Sequence, residues 1–471
     1  MKMIRIGVLI ALALCAASAR AQVSVAQHTS ARIGTAATSV SVAFGSNITA
    51  GNYVLVTCAW YSNGETVTVT DNASGGSNTY SDTGSGAVTN ATGPVWIQTF
   101  KAKIVNGGGT TPTVSCNLNN STSLGINVAI AEISGADATT FVDSFTSATP
   151  NPAANTQFSA GTVATSAANT LIYAACFPNH TIVSQGLEYA KLEATIDDLW
   201  TAVGAANTGA AGNYLPRFQS GSSADNDACN VVAIKAASQT ASTGVYPGNG
   251  YAQGTDTSST SRSWTHTVAG GSNGLLLVKL LYRNAQSGNP TVTYNSVSMS
   301  RVQFSCYNNG TSTCIDVYQL TSPASGAHTV SVTYTSSTDG HEASEDFSNV
   351  NQTTPVTGIQ TDLTSSSGSS VTVTSRAGDW VSSQWTGISG PTSLCAASST
   401  NSDYVFKTPT FGVWGGFGHA TGASTVTMNW TTSSTASCPG SAVGDNHAHM
   451  AFDIQSATAP ARTYPHHTHI I

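Results

Sequence analysis

HTVSVTYT, residues 328–335, alternates hydroxyl-bearing and apolar residues with a period of two. Successive side chains of a β-strand point to opposite faces of the sheet, so this alternation predicts a half-buried strand. Four further runs are rich in Val, Thr or aromatic residues, and many of them alternate in the same way: YVLVTCAW (53–60), ETVTVTD (65–71), PTVSCNL (112–118) and PTVTYNSVSM (290–299). Clusters of glycine, asparagine, serine and aspartate separate these runs, as expected for turns between short strands.

Helical patterning is nearly absent from the 471 residues, and the one candidate helix is LEYAKLEATIDDLW, residues 187–200. Many short strands with frequent turns predict an all-β fold of antiparallel sandwiches, since a parallel α/β sheet would need alternating helices.

The two halves of the chain look like distant copies of each other. AGNYVLVTCAW (50–60) corresponds to GSNGLLLVKLLY (271–282), and SAANTLIYAACF (166–177) corresponds to SRAGDWVSSQW (375–385). Between the two quoted segments of each half lies a predicted strand that contains a glutamate, and Glu132 of the first half corresponds to Glu345 of the second. The offset between equivalent positions drifts slowly, as loop insertions in a duplicated domain would produce.

This duplication predicts two tandem β-sandwich domains, at residues 22–237 and 251–457. The linker between them is SQTASTGVYPGNG, residues 238–250, which is rich in small and turn-forming residues. A His-containing tail follows at residues 458–471.

The order of these landmarks resembles the jelly-roll modules that are repeated in secreted and surface proteins of environmental bacteria. The shared features are a small-Asn/Asp-aliphatic start to a buried strand and a glutamate strand that ends in ISGAD (133–137) or FSNVNQTTP (347–355). The resemblance implies a Greek-key or jelly-roll sandwich in an extracellular setting. It brings no established catalytic residues with it.

The first 21 residues, MKMIRIGVLIALALCAASARA, have the pattern of a secretory signal peptide. Lys2 and Arg5 precede an apolar run that is too short to span a bilayer, and small residues allow cleavage after Ala21. No later stretch is long and apolar enough to span a membrane. We therefore expect a protein that is secreted, held at the cell surface or kept in the periplasm.

Eight cysteines follow the signal peptide, four in each half. They are Cys58, Cys116, Cys176, Cys229, Cys306, Cys314, Cys395 and Cys438. The even division predicts two disulfides per half in an oxidising compartment, whereas the long, irregular spacing disfavours a metal site. The disulfide pairing in the first half stays open. In the second half, Cys306 and Cys314 flank a short loop, which predicts that they pair with each other, and Cys395 would then pair with Cys438 by exclusion.

Charged residues make up only 8% of the chain, hydrophobic residues 40%, and the formal net charge is −7. These values exclude a coiled coil and charge-driven disorder, and they give no basic surface for nucleic acid. They also leave few acids and bases for catalysis.

Two patterns suggest catalysis only weakly. GGSNG, residues 270–274, matches the letters of a serine-hydrolase elbow at Ser272, but it leads from a loop into a strand. The acidic candidates are Glu132, Glu342, Glu345 and Asp346. Glu342 and Glu345 would face opposite sides of a strand, so we interpret the acids as solvent-facing or bonded to turn amides.

Metal binding is a further candidate property. His447 and His449 would share one face of a strand, and the tail adds His466, His467 and His469, for which adventitious Zn²⁺ or Cu²⁺ is expected and not a functional cofactor. A structural Ca²⁺ has candidate ligands in DND at residues 225–227, or in Asp137 and Asp143, with a polar turn as the alternative.

The densest aromatic segment is FKTPTFGVWGGFGHATG, residues 406–422, in which Phe411, Trp414 and Phe417 recur every third residue among glycines. Flanking glycines predict a loop or edge that displays these rings, which could stack on the apolar faces of sugars. Four other tryptophans lie in strand patterns and are expected in the core, namely Trp60, Trp96, Trp380 and Trp430.

The first functional hypothesis is therefore a secreted, non-catalytic binding or adhesion protein for a polysaccharide or cell-surface glycan. The alternative is an extracellular structural protein that self-associates through sheet edges. The last alternative is a hydrolase or lyase acting on carbohydrate.

Overall fold

The computed structural model describes residues 23–457 except 62–63, 123, 155, 179–181, 186–189, 194–201, 209, 221–223, 238–243, 285, 287, 310, 389–392, 397–400, 408–412 and 434–444. The described residues form 34 β-strands and no helix, which confirms the all-β prediction. Residues 190–193 of the candidate helix form a strand. The rest of that segment lies outside the described residues, as do the signal peptide and the C-terminal tail.

The strands fall into four successive units. The first unit contains β1 (Ser24–Ile33), β2 (Ser39–Ala43), β3 (Tyr53–Tyr61), β4 (Val67–Asp71), β5 (Ser81–Asp82), β6 (Val88–Asn90), β7 (Val95–Lys103), β8 (Thr113–Leu118) and β9 (Ile126–Ser134). The second unit contains β10 (Val142–Ala148), β11 (Gln157–Ser159), β12 (Val163–Thr165), β13 (Leu171–Phe177), β14 (Ile182–Gln185), β15 (Ala190–Glu193), β16 (Ala202–Asn207), β17 (Gly212–Tyr214), β18 (Arg217–Ser220) and β19 (Ala228–Ile234).

The third unit has fewer and longer strands: β20 (Tyr246–Val268), β21 (Leu275–Arg283), β22 (Thr291–Tyr294), β23 (Val297–Ser298), β24 (Ser300–Asn309), β25 (Thr311–Thr321) and β26 (Gly326–Ser348). The fourth unit contains β27 (Val356–Ser366), β28 (Gly368–Thr374), β29 (Trp380–Ile388), β30 (Ser393–Ala396), β31 (Asn401–Lys407), β32 (Val413–Thr421), β33 (Thr425–Ser433) and β34 (Asp445–Ile454).

Each unit packs a large sheet against a small one in jelly-roll order. In the fourth unit the large sheet runs β27-β34-β29-β32-β31 and the small sheet β28-β33-β30, so strands 1-8-3-6-5 face strands 2-7-4. The first and second units repeat this order. In the third unit β20 and β26, each 23 residues long, cross from the large sheet into the small one. The sequence predicted one sandwich in each half, whereas each half contains two.

The large sheets of the first and second units pack face to face, and so do those of the third and fourth units. Small sheets cover the outer faces of the large ones. The central strands β3, β13, β21 and β29 are therefore buried on both faces along nearly their whole length. This explains why a stretch such as LLLVKLLYR is almost continuously apolar and does not alternate.

The same turn begins each of these four central strands. Gly51, Asn169, Asn273 and Gly378 have φ values of 90°, 62°, 54° and 91°, in the region that glycine and asparagine adopt most easily. The carbonyl of the following residue then accepts a hydrogen bond from the N–H of Ile104, Thr208, Ser322 or Gly422. The small-Asn/Asp motif that recurs in the sequence is thus a backbone requirement of the turn.

The junction between the two units of each half is also repeated. Main-chain hydrogen bonds that join residues 135–141 to 235–237 recur between residues 349–355 and 455–457. Tyr53 lies opposite Ile133, and Leu275 opposite Phe347. This register makes Asp346 the equivalent of Glu132, one residue from the equivalence with Glu345 that the sequence suggested.

The boundary between the halves is tighter than the sequence predicted. Strand β20 begins at Tyr246, so residues 246–250 belong to the third unit and not to a linker. The side chain of Asn249 bonds to main-chain groups of residues 213, 215 and 267. Gln157 Oε1 accepts the N–H of residue 252, and Arg217 lies over the ring of Tyr251, 4.9 Å from its centroid. The small sheet of the second unit therefore contacts the third unit.

Three disulfides reinforce the units. Cys58–Cys116 joins β3 to β8 across the first sandwich, Cys176–Cys229 joins β13 to β19, and Cys306–Cys314 joins β24 to β25 as predicted. The predicted partner of Cys395, Cys438, lies outside the described residues. Because disulfides persist in oxidising compartments, these three indicate an extracellular or periplasmic environment. Within the described part of the chain, no helix is long and apolar enough to cross a membrane.

Candidate functional site

The aromatic segment at residues 406–422 does not display its described rings. Trp414 is 6% exposed and packs with Trp385 and Trp430, whereas Phe417 is 0% exposed and lies between the large sheets. The two positions have opposite parity on β32, so their rings enter two different cores. The prediction of displayed rings is therefore wrong for Trp414 and Phe417, and Phe411 lies outside the described residues.

The glycines around these rings explain the error. A Cβ atom on Gly416 would lie 2.7 Å from the indole of Trp430 and 2.9 Å from Leu394. Glycine therefore makes room for a large ring inside the sandwich, whereas the sequence alone suggested a loop. Trp60 and Trp430 are buried as predicted, while Trp96 and Trp380 are partly buried against cores.

The two histidines of β34 are internal hydrogen-bonding groups. His449 Nδ1 lies 2.8 Å from Ser369 Oγ, and His449 Nε2 lies 3.0 Å from Ser383 Oγ. Burial lowers the pKa of His449 to about 3, so its imidazole is neutral. His447 is buried with its ring centroid 5.3 Å from that of Trp385.

These contacts do not resemble a metal site. Both nitrogens of His449 are occupied by serine hydroxyls. Among the described residues, no group of three or more His, Cys, Asp or Glu side chains is placed to hold a metal. His466, His467 and His469 lie outside the described residues.

The hydrogen-bonded chain of serines around His449 contains the residue types of a serine hydrolase, but a substrate has no access to it. Ser383 is 0% exposed, and its hydroxyl accepts a hydrogen bond from Trp430 Nε1 at 3.0 Å. Ser369 connects the other side of the imidazole to Asp362 Oδ2 at 2.6 Å. A substrate cannot reach a hydroxyl in this position, so the chain satisfies polar groups inside the core.

The acidic candidates are buried and paired. Glu132 accepts hydrogen bonds from the N–H of Thr49 (2.8 Å) and from Asn52 Nδ2 (2.7 Å), which confirms the interpretation as an acceptor of turn amides. Glu342 pairs with Arg262, and Asp346 accepts the N–H of residues 249 and 269.

Glu345 faces the other side of β26, as its parity predicts, and pairs there with Lys279, which also contacts Ser382 of the fourth unit. None of Glu132, Glu342, Glu345 and Asp346 is more than 7% exposed, so the expectation of solvent-facing acids is wrong.

Lys279 was not among the candidate residues in the sequence, yet it is 0% exposed in the middle of β21. Its Nζ lies 2.7 Å from Glu345 Oε2 and 2.6 Å from Ser382 Oγ of the fourth unit. A lysine inside LLLVKLLYR is a visible signal of a buried charge. Its partners come from a neighbouring strand and from the opposing sheet, which the sequence does not identify.

Ser272 lies in an exposed loop that leads into β21, with Asn273 at φ 54°. The strand-turn-helix context of a nucleophile elbow is therefore absent at this position. A cleft of about 260 Å³ lies beside the loop and is lined by residues that include Gly270, Ser322 and Phe347. Its described lining contains no acid, histidine or cysteine, and its volume is below the usual 300–1,000 Å³ of a ligand pocket.

The candidate Ca²⁺ ligands differ in their burial and in their hydrogen-bond partners. Asp137 accepts the N–H of residues 139 and 140 at 2.8 and 2.7 Å, which lowers its pKa, and Asp143 accepts the N–H of Ser166. Both therefore act as ordinary turn acceptors. Asp225 and Asp227 are buried at 3% and 0% exposure at the end of the second sandwich.

The outward faces of three small sheets consist mainly of serine and threonine side chains, and we call them the hydroxyl faces. The face of the first unit comprises Ser39, Ser41, Thr68, Thr70, Thr113, Ser115 and Asn117. That of the third comprises Ser261, Ser263, Thr265, Thr291, Thr293, Thr329, Ser331 and Thr333. That of the fourth comprises Ser370, Thr372, Thr374, Thr425, Thr427, Asn429 and Thr431. All are exposed or partly exposed.

These side chains stand in register across the strands. Ser41 Oγ lies 2.7 Å from Ser115 Oγ, and Thr372 Oγ1 lies 2.9 Å from Thr427 Oγ1. Neighbouring strands are about 4.8 Å apart and alternate residues about 6.7 Å apart, so each face is a grid of neutral donors and acceptors. Alternation in runs such as HTVSVTYT already indicated these faces, because the apolar residues must point inward.

Comparison with known proteins adds no relative: no family model, curated protein or solved structure matches the chain.

Proposed function

We propose that the protein is a secreted, non-catalytic binding protein that recognises a neutral polysaccharide or cell-surface glycan through its hydroxyl faces. The observation that supports the proposal is the registered, uncharged array on the small sheets of the first, third and fourth units. Hydroxyl and amide side chains both donate and accept, as sugar hydroxyls do, and an uncharged surface suits a neutral partner.

Repetition of the face favours a polymer over a single small ligand. The faces of the third and fourth units point away from each other, because their large sheets pack together and their small sheets lie outside. One chain would therefore engage different strands of an insoluble polymer, and linked weak sites gain avidity through their high effective concentration. The stacked sheets hold the faces on a rigid scaffold, which limits the entropy cost of binding.

The test is retention of residues 22–471, with disulfides intact, on a panel of insoluble polysaccharides, while released sugars are measured in the same tubes. Thr372→Val with Thr427→Val removes the paired hydroxyls of one face and keeps the β-branched shape. The matched control is Thr361→Val, an exposed threonine on β27 outside the faces.

We expect retention without sugar release, and weaker retention of the double variant than of the control. Unchanged retention of the double variant would contradict the role of the face. Sugar release that follows the protein through purification would contradict a non-catalytic role, and failure to bind any polymer would contradict polysaccharide recognition.

A second candidate, self-assembly at sheet edges, is favoured by β27. This edge strand has 11 residues, is largely exposed and contains neither proline nor lysine, which commonly protect edges. Concentration-dependent oligomers that Leu363→Lys abolishes would support assembly, and a monomer at all concentrations would contradict it.

A further inference from the structure

Asp225 and Asp227 continue the β10–β19 ladder beyond the end of the strands. The N–H of Asp225 donates to Pro152 O at 3.0 Å, and that of Asp227 donates to Pro150 O at 2.9 Å, in the same antiparallel register as the strands. Alternate residues share a face, so the two aspartates lie on the side of Cys229, which packs in the core of the second sandwich.

Asp227 differs from the other buried acids of the described chain. It is 0% exposed, and neither of its carboxylate oxygens has a hydrogen-bond partner. Every other buried carboxylate in the described ranges has a partner for at least one oxygen, namely Glu132, Asp225, Asp316, Asp339, Glu342, Glu345, Asp346, Asp379 and Asp453.

Burial and the neighbouring charge of Asp225 raise the pKa of Asp227 to about 9. A buried carboxylate with no donor is unfavourable unless it is protonated or bound to a cation. A polar turn, the alternative to a metal site, does not account for a carboxylate removed from both water and N–H donors.

We propose that Asp225 and Asp227 form a Ca²⁺ site at the end of the second sandwich. The described residues hold no third acid, histidine or cysteine beside them, so further ligands would be amide or main-chain oxygens and water. Such an all-oxygen set suits Ca²⁺, whereas Zn²⁺ prefers nitrogen and sulfur, and Mg²⁺ demands stricter octahedral geometry. An extracellular or periplasmic protein can use a weak Ca²⁺ site, because extracellular modules bind with Kd values of about 10⁻⁴–10⁻³ M.

The experiment uses the full disulfide-bonded chain after dialysis against EGTA. Calorimetric titration with CaCl₂ should show one Ca²⁺ per chain, and Ca²⁺ at about a hundredfold above Kd should raise Tm by about 5–10 °C. MgCl₂ should have a much smaller effect. Asp227→Asn should abolish both responses, and in EGTA its Tm should equal or exceed that of the wild type because a neutral amide is easier to bury.

Asp137→Asn is the matched control, since Asp137 lies near the opposite end of β19 and already accepts two N–H groups. It should keep the Ca²⁺ response. Asp225→Asn should weaken binding at least tenfold, which provides a second variant if Asp227→Asn does not fold. The proposal is overturned if the wild type binds no Ca²⁺ and melts identically in CaCl₂ and EGTA, or if the control loses binding as fully as Asp227→Asn.

Discussion

Replacing Lys279 with methionine should lower the free energy of unfolding by about 3–5 kcal/mol. Lys279 is 0% exposed, and its ammonium lies between Glu345 and Ser382 at the contact of two large sheets. Methionine keeps the length of the side chain but leaves the Glu345 carboxylate, 7% exposed, without its cation. The cost arises from this uncompensated charge and not from lost volume.

The double variant Lys279→Met with Glu345→Leu separates these causes. Replacing a whole buried ion pair with apolar residues is often neutral or stabilising, so the double variant should lie within about 1 kcal/mol of the wild type. Urea unfolding followed by tryptophan fluorescence measures both values, provided that the m-values agree. A cost below about 1 kcal/mol for Lys279→Met, or a double variant less stable than the single one, would refute the reasoning.

Three further predictions concern the cores. Gly416→Ala should lower the free energy of unfolding in urea by about 1–3 kcal/mol, because the new methyl group would lie 2.7 Å from an indole ring. Gly45→Ala, with open space around it, should change the free energy little, and equal effects of the two variants would contradict this account. The imidazole of His449, with its pKa lowered to about 3, should stay neutral at pH 5 in an NMR titration. Since an unfolded histidine titrates near 6.5, this group contributes stability that is present above pH 6.5 and is lost as the pH falls toward 3; a folded-state midpoint near 6.5 would disprove it. Replacing Cys58 and Cys116 with alanine should cost about 4 kcal/mol by the chain-entropy relation for their separation of 58 residues, and unchanged thermal unfolding would argue against it.

Much of the fold was predictable because strands and turns are local. Alternation in residues 328–335 marks the inner and outer faces of β26, and the recurring turns at Gly51 and Asn273 mark the starts of buried strands. The number of sandwiches was not predicted, because the turn motif that begins a central strand in each of the four units was interpreted as recurring within one domain per half. Only the sheet pairing separates them.

The candidate site was harder to predict because it depends on burial. Glycines beside Trp414 have the same letters whether they form a loop or make room for a ring, and the packing of Trp430 decides between these alternatives. The partner of Lys279 is 66 residues away on another strand, so the run of leucines predicted a core but not its ion pair.

The face-to-face packing of large sheets restricts how this chain could have evolved. A single unit added or lost would leave one large sheet with its apolar inner face in water, where it would favour aggregation. Gene duplication should therefore preserve copies in pairs, which agrees with the junction that recurs 214 residues later, from Asp137 to Asn351 (351 − 137). The repeated block is a pair of sandwiches, and lengthening the chain by such blocks would add new hydroxyl faces without opening the existing cores.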